Sequence, residues 1–169
     1  MKALTISQPW ANLIASGLKF VENRTWPTSY RGPLAIHAGK GSQYLTSQQL
    51  TMYPTGCIVA TCQLVECVHI DRLRKIKNVK TNPTFICETS RRTVLEVLAH
   101  DFTEGPYLWI LEDIRPVQDY QIRGAQGLWN VELETQLQLR QCYSKVIRLV
   151  DRGEVTVEYR VQPSKKPLR

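Results

Sequence analysis

The sequence predicts an α+β fold built on a mixed, curled sheet or small barrel of five or six strands, and three observations carry that prediction. Short apolar and β-branched segments recur along the chain, each the length of a strand rather than a helix. One amphipathic helix stands near the N-terminus, and the connections between segments are long and irregular. Strands and helices do not alternate regularly, which argues against a doubly wound sheet.

Lys2–Ile6 (KALTI) has the content of a short strand. Ser7 then offers a helix N-cap, and Pro9 suits the first helical turn, where its missing N–H costs nothing. Trp10, Leu13 and Ile14 share one helix face, and Gly17 is placed to end the helix. So short a helix must be held by packing of that face. Phe20–Trp26 reads as a strand, and Pro27 with Tyr30-Arg31-Gly32-Pro33 as a loop. Leu34–Ala38 (LAIHA) reads as a buried strand before the flexible Gly39-Lys40-Gly41, and Ser42–Met52 as a surface helix before Pro54.

Cys57–Ile70 is the longest β-like segment, expected to bend. Arg91–His100 reads as a helix with Val94, Leu95 and Leu98 inward. Tyr107–Leu111 and Leu128–Leu133 read as core strands, Gln136–Cys142 as a helix, and Glu154–Val161 alternates like a strand. The end, PSKKPLR, reads as a disordered basic tail.

Composition narrows the function classes. With 43% hydrophobic and 22% charged residues in 169, the chain is an ordinary globular one, large enough to fold without a metal or disulfide. No apolar run approaches the ~20 residues of a membrane span, and MKALTISQPW is a poor signal peptide. The expectation is a cytoplasmic protein with no membrane partner and no cofactor. Five cysteines, an odd number, include no C-x-x-C pair, so no metal site is expected. Cys57, Cys62 and Cys67 read as buried thiols acting as small hydrophobes. A net charge of +7 suggests a polyanionic partner. The excess is concentrated in residues 1–65, where Lys2, Lys19, Arg24, Arg31 and Lys40 face a single acid.

That acid is Glu22, and it lies between Lys19 and Arg24. On a strand, Glu22 and Arg24 point to one face with Phe20 and Trp26, while Val21 and Asn23 point to the other. Lys19 belongs to the turn after Gly17, and its long side chain can swing to the same side. A carboxylate so flanked can accept N–H donors from a base edge, position a cation or act as a general base. Lys19 and Arg24 can contact phosphate or a developing oxyanion. The plainer reading is an ion pair knitting turn to strand, which contributes about 0–1 kcal/mol when exposed.

Gly17-x-Lys19-x-x-Glu22-x-Arg24 resembles the G-x-K-x-x-E-x-R signature of the ASCH domain, in the PUA-like superfamily. Leu4-Thr5-Ile6-x-Gln8-Pro9-Trp10-Ala11-x-Leu13-Ile14 upstream and Arg31-Gly32-Pro33-Leu34-x-Ile36-His37-Ala38 downstream resemble the same family, as do Gly105-Pro106-Tyr107-x-Trp109 and Gln126-Gly127-Leu128-Trp129. The resemblance covers roughly residues 2–131. It implies a domain over 1–131, a C-terminal extension of helix and strand over 132–163 packed on it, and the basic tail over 164–169. The implied fold is a PUA-like β-pseudobarrel whose short N-terminal helix flanks a cleft.

The implied ligand is RNA or a modified nucleotide. Lys19, Glu22 and Arg24 would line the cleft, with Gln8, Trp10, Arg31 and His37 at its rim. Trp10 shares a helix face with Leu13 and Ile14, which favours the core for it, so Trp26 is the stronger candidate to stack on a base. Lys40, in its glycine loop, is a further phosphate contact, although Leu34 and Gly41 stand where a Walker motif needs Gly and Ser or Thr. Some small relatives are amidohydrolases acting on acetylated cytidine, with a threonine three residues after the lysine. Glu22 occupies that place here, which favours binding over that reaction.

The sequence therefore predicts a single-domain RNA- or nucleotide-binding module with a basic cleft. The alternative is an amidohydrolase- or nuclease-like enzyme acting on RNA or a modified nucleoside, with Glu22 as general base, Lys19 stabilising an oxyanion and His37 supplying a proton. A third reading is a protein-interaction domain with an unidentified partner. The five cations within Arg72–Lys80 are a second place where a nucleic-acid backbone can be gripped.

Overall fold

The computed structural model describes residues 1–77, 84–141, 146–151 and 154–159. Lys80, Cys142 and the basic tail lie outside the described residues. Six strands form one sheet: β1 (Lys2–Ile6), β2 (Val21–Arg24), β3 (Gly32–Ala38), β4 (Cys57–His69), β5 (Tyr107–Gln121) and β6 (Leu128–Asn130). Their order is β2-β5-β4-β3-β1-β6, with β1 and β3 parallel and every other neighbour antiparallel. Register shifts interrupt the β4–β5 ladder at three points, between Ile58 and Ala60, Thr61 and Gln63, and Leu64 and Glu66. Each shift adds twist and bends the pair, so the sheet curls into a half-closed barrel.

Alternation along the strands sorts the core. Leu4, Ile6, Leu34, Ile36, Trp109 and Leu111 point inward. There they meet the first helix, α1 (Trp10–Ala15). On the outer face Val21, Leu108 and Ile110 pack with α3 (Ile70–Arg74) and α4 (Val94–Ala99). Ala3, Ala35 and Ile58 join Leu139 of α5 (Leu133–Gln141). Between β3 and β4, α2 (Ser47–Met52) carries a capping box from Thr46 and Gln49 but buries none of its residues. β7 (Val146–Asp151) and β8 (Glu154–Tyr159) form a separate antiparallel pair.

Several expectations are corrected. Pro9, not Ser7, is the N-cap residue of α1, and the Gln8 side chain supplies the cap by accepting the Asn12 N–H at 3.1 Å. The buried face of α1 is Ala11, Ile14 and Ala15 rather than Trp10, Leu13 and Ile14. Two alanines let the helix backbone approach the sheet closely, which turns Trp10 toward the helix entrance. In α4, Val97 is buried and Leu95 is 42% exposed. β5 runs well past Leu111 because β4 pairs with it as far as Gln121, while β2 covers its other edge only from Tyr107 to Ile110. Beyond that its free edge tolerates Pro116 and faces water, so charged residues mask the strand signal.

Cys57 and Cys62 are buried, Cys67 is half-buried, and these three and Cys87 are free thiols. Burial pushes the Cys57 thiol up to about 12 and raises Cys62 further in the same direction, which makes both inert as nucleophiles. Among the described residues no three His, Cys, Asp or Glu side chains cluster as metal ligands would. No described helix is long and apolar enough to cross a membrane.

Candidate functional site

The signature residues converge at the edge of the barrel where β2 passes α1. Gly17 takes a left-handed conformation (φ 78°), which turns the chain back so that the Lys19 N–H donates to the Leu13 carbonyl at 3.0 Å. That reversal aims Lys19 inward, and at 2% exposure it is one of the most deeply buried large side chains. On β2, Glu22 faces Trp109 across the β2–β5 ladder and therefore points to the inner face. Lys19 Nζ pairs with Glu22 Oε2 at 2.9 Å and donates to the Val21 carbonyl. Arg24 Nη2 lies 3.2 Å from Glu22 Oε1 and donates to the Thr5 carbonyl at 2.9 Å. One carboxylate thus joins β2, the turn after α1 and the end of β1.

These groups form the floor of a cavity of about 260 Å³. Trp10 and Tyr44 line it with their rings edge to face at 4.5 Å, and Phe102 and Glu104 close another side. Asn23 faces away from Glu22, as alternation requires, and holds that side in place. Its Nδ2 donates to the Phe102 carbonyl at 2.8 Å, and its Oδ1 accepts the Glu104 and Gly105 N–H groups at 3.1 and 3.0 Å. Two cations, Lys19 and Arg24, are matched here by two acids, Glu22 and Glu104. The lining is therefore balanced in charge, not basic.

The remaining candidates separate. Trp26 packs its ring edge to face on Trp109 at 4.8 Å and does not line the cavity, whereas Trp10, which also packs against the inner core, does. Gln8 is fully buried and committed to Asn12 and the Pro54 carbonyl, inside the fold rather than at the rim. Arg31 pairs with Glu66 and donates to the Thr28, Tyr30 and Cys67 carbonyls, away from the cavity. Lys19 is buried, and two of its three ammonium donors are taken up, by Glu22 and the Val21 carbonyl. Arg72, Arg74, Lys75 and Lys77 are exposed on and after α3 and do not line this cavity.

His37 and Lys40 line a second cavity that shares only Thr5 and Arg24 with the first. His37 is buried at 2% exposure, with Nε2 3.0 Å from the Ile122 carbonyl and its ring 5.7 Å from that of Trp129. Burial lowers its pKa from 6.5, opposed by the Ile122 and Gly56 carbonyls and reinforced by Lys40. At neutral pH the ring is uncharged, and Nε2 carries the proton that meets Ile122. His37 therefore does not reach Glu22, and a Glu22–His37 acid–base pair is not assembled. His100 is likewise lowered by burial and by Lys19; its Nε2 accepts the Phe20 N–H at 3.4 Å.

Sequence reasoning missed Thr5, Asn23, Tyr44, Phe102 and Glu104 in the first cavity and Arg123 in the second. Asn23 carried a signal: asparagine is a poor strand former, and one inside β2 needs a partner. Arg123 lies just ahead of the Gln126-Gly127-Leu128-Trp129 segment that resembles the family.

A half-closed barrel with a short helix at its open edge, and a buried Lys–Glu–Arg cluster beneath that helix, defines the class of domain. The ASCH domain family model matches residues 4–119, and the chain belongs to that family. Activating signal cointegrator 1 of Homo sapiens is 29% identical over 130 residues, covering 64% of this chain and 22% of that protein. The Mus musculus counterpart is 28% identical over the same length. The chain thus spans under a quarter of the length of these relatives. The crystal structure of ASCH from Zymomonas mobilis superposes with a TM-score of 0.51 at 16% identity, covering 85% of this chain and 96% of that one. A point variant of the same bacterial protein gives 0.50 at 17%. At that identity the likeness shows the fold.

Proposed function

We propose that this ASCH domain binds a nucleotide, free or within RNA, with the base seated in the Glu22 cavity. The observation that carries the reading is a carboxylate pinned by two cations at the floor of an open cavity with Trp10 and Tyr44 at its wall. A carboxylate offers about four acceptor positions, and Lys19 and Arg24 take one on each oxygen. The others can receive N–H groups from a base edge without any reorganisation of Glu22. A cavity of about 260 Å³ lies at the lower bound of the usual small-molecule range of about 300–1,000 Å³. It suits one planar ring better than a whole nucleotide. Base–aromatic contact of the kind Trp10 offers is worth about 1–3 kcal/mol.

The test is fluorescence anisotropy of a short labelled single-stranded RNA with wild type, Glu22→Gln and Trp10→Ala. Glu22→Gln keeps the shape and exchanges an acceptor for a donor, so discrimination among bases should change. Trp10→Ala should weaken binding about tenfold, in keeping with the stacking energy. Failure of the wild type to bind any RNA or nucleotide at low salt contradicts the proposal. Recovery of unaltered ligand after prolonged incubation distinguishes binding from hydrolysis.

A further inference from the structure

Next to the Glu22 cavity lies the larger one, of about 820 Å³. Arg24, Lys40 and Arg123 line it, and among the described residues no carboxylate does. Lys40 and Arg123 form no ion pair among the described residues. Arg24 already uses Nη2 on Glu22 and Thr5, but its Nε is buried with no hydrogen-bond partner. Of the N-terminal cations, Arg24 and Lys40 line this cavity, and Arg123 joins them from the far end of the domain.

The opposite wall is main chain. Residues 122–127 cross the ends of β1 and β3, tied down by His37 Nε2 on the Ile122 carbonyl and by the Thr5 hydroxyl, which donates to the Ala125 carbonyl at 2.8 Å. Gly124 fits there because it lacks a side chain. A Cβ would stand 2.4 Å from His37 Cε1 and 2.9 Å from Thr5 Oγ1. Among the described residues the amides of Arg123, Gly124 and Ala125 donate no hydrogen bond. Arg24, Lys40 and Arg123 therefore line one cavity together with a backbone segment whose amides are free among the described residues.

We infer that this second cavity is a phosphate site, built from Arg24, Lys40, Arg123 and the Gly124–Ala125 backbone, holding the phosphate attached to the base in the Glu22 cavity. The assignment rests on the nucleotide reading above and extends it. Guanidinium and ammonium donors beside main-chain amides are what a phosphate selects, since its oxygens accept several charge-assisted hydrogen bonds at once. Arg24 lies at the wall the two cavities share: its Nη2 fixes Glu22, and its positive charge also serves the second cavity. An acidic peptide would also be drawn to the charge, but it has no base to place beside Glu22.

The test uses the full chain, ¹⁵N-labelled, with inorganic phosphate, nucleosides, nucleoside 5′-monophosphates and a short single-stranded RNA. Phosphate alone should shift the Gly124 and Ala125 amides, and monophosphates should bind at least tenfold tighter than nucleosides. The double variant Lys40→Gln, Arg123→Gln should lose the phosphate response while its melting temperature stays at the wild-type value. Each phosphate contact to a single strand contributes about 0.7 to the slope of log K against log salt. The site holds one phosphate, so its loss should make the RNA slope shallower by about 0.7. Equal affinity for monophosphate and oligomer would assign the phosphate to a free nucleotide, and a tighter oligomer would assign it to a chain; either supports the site. Wild-type affinity and slope in the double variant overturn it, as does an aspartate-rich peptide binding the loop as tightly as RNA. If phosphate shifts the loop but no nucleoside or RNA binds, the phosphate site stands and the base reading falls.

Discussion

Two cavities meet at Arg24, and they are built on opposite principles. Around Glu22 both cations are answered by the carboxylate, the turn is held by the Leu13 carbonyl, and the far wall is held by Asn23. Around Lys40 and Arg123, among the described residues, the charges are unanswered and the loop amides are free. Buried ion pairs are expensive to desolvate and contribute little net stability, but removing one partner is severe. Unpaired surface cations behave the other way, contributing little to the fold and much to the capture of a polyanion. The comparison teaches that a local charge count locates neither site. What matters is which cations are already satisfied.

The sharpest way to break this contrast is Glu22→Ala. It strands Lys19, at 2% exposure, without its carboxylate, and should cost about 3–5 kcal/mol in urea unfolding. A loss below about 1 kcal/mol would mean that the pair is solvated and the cavity floor is soft. Trp26→Ala comes next: its ring supports Trp109, so removal should cost about 2 kcal/mol with ligand affinity unchanged. Trp10→Ala should weaken ligand binding as well as costing stability, since its ring lines the cavity and also packs against the core. Comparable effects of both tryptophans on binding would undo the distinction drawn between them.

Acidification tests the loop's anchor. With the pKa of His37 lowered from 6.5 in the folded chain, the unfolded chain binds more protons below that value. The stability tied to neutral His37 is therefore fully present above pH 6.5 and is lost as pH falls through the folded value; His100 acts in the same direction. His37→Asn should flatten the decline in melting temperature on going from about pH 7 to about pH 5. An unchanged slope would assign the decline to other groups. The smallest stability effect is expected of Lys40→Gln with Arg123→Gln, within about 0.5 kcal/mol of wild type.

Much of the fold was legible because short strands leave local marks. The apolar content of β1, β3 and β4, the Gly17 stop and the parity of Glu22 and Arg24 all follow from nearest neighbours in the chain. The rotation of α1 was not legible, since periodicity weighs Trp10 above Ala11 and Ala15 although the small residues make the contact. Nor was the burial of Lys19, because a lysine is buried only when its partner and turn are both in place. Trp26 looked like a base platform because its strand parity matches Glu22; that same parity sets it against Trp109. The second cavity had no motif to announce it. Arg24, Lys40 and Arg123 come from three distant segments, and only the sheet order brings the ends of β1 and β3 under residues 122–127.

The most direct measurement is a ¹H–¹⁵N titration of the full chain with a short single-stranded RNA, read residue by residue. The account predicts that the largest shifts fall on the Trp10 indole and the amides of Lys19, Glu22 and Asn23, continuing into Gly124 and Ala125. Shifts confined to Arg72–Lys77 on and after α3, with both cavities unmoved, would contradict it.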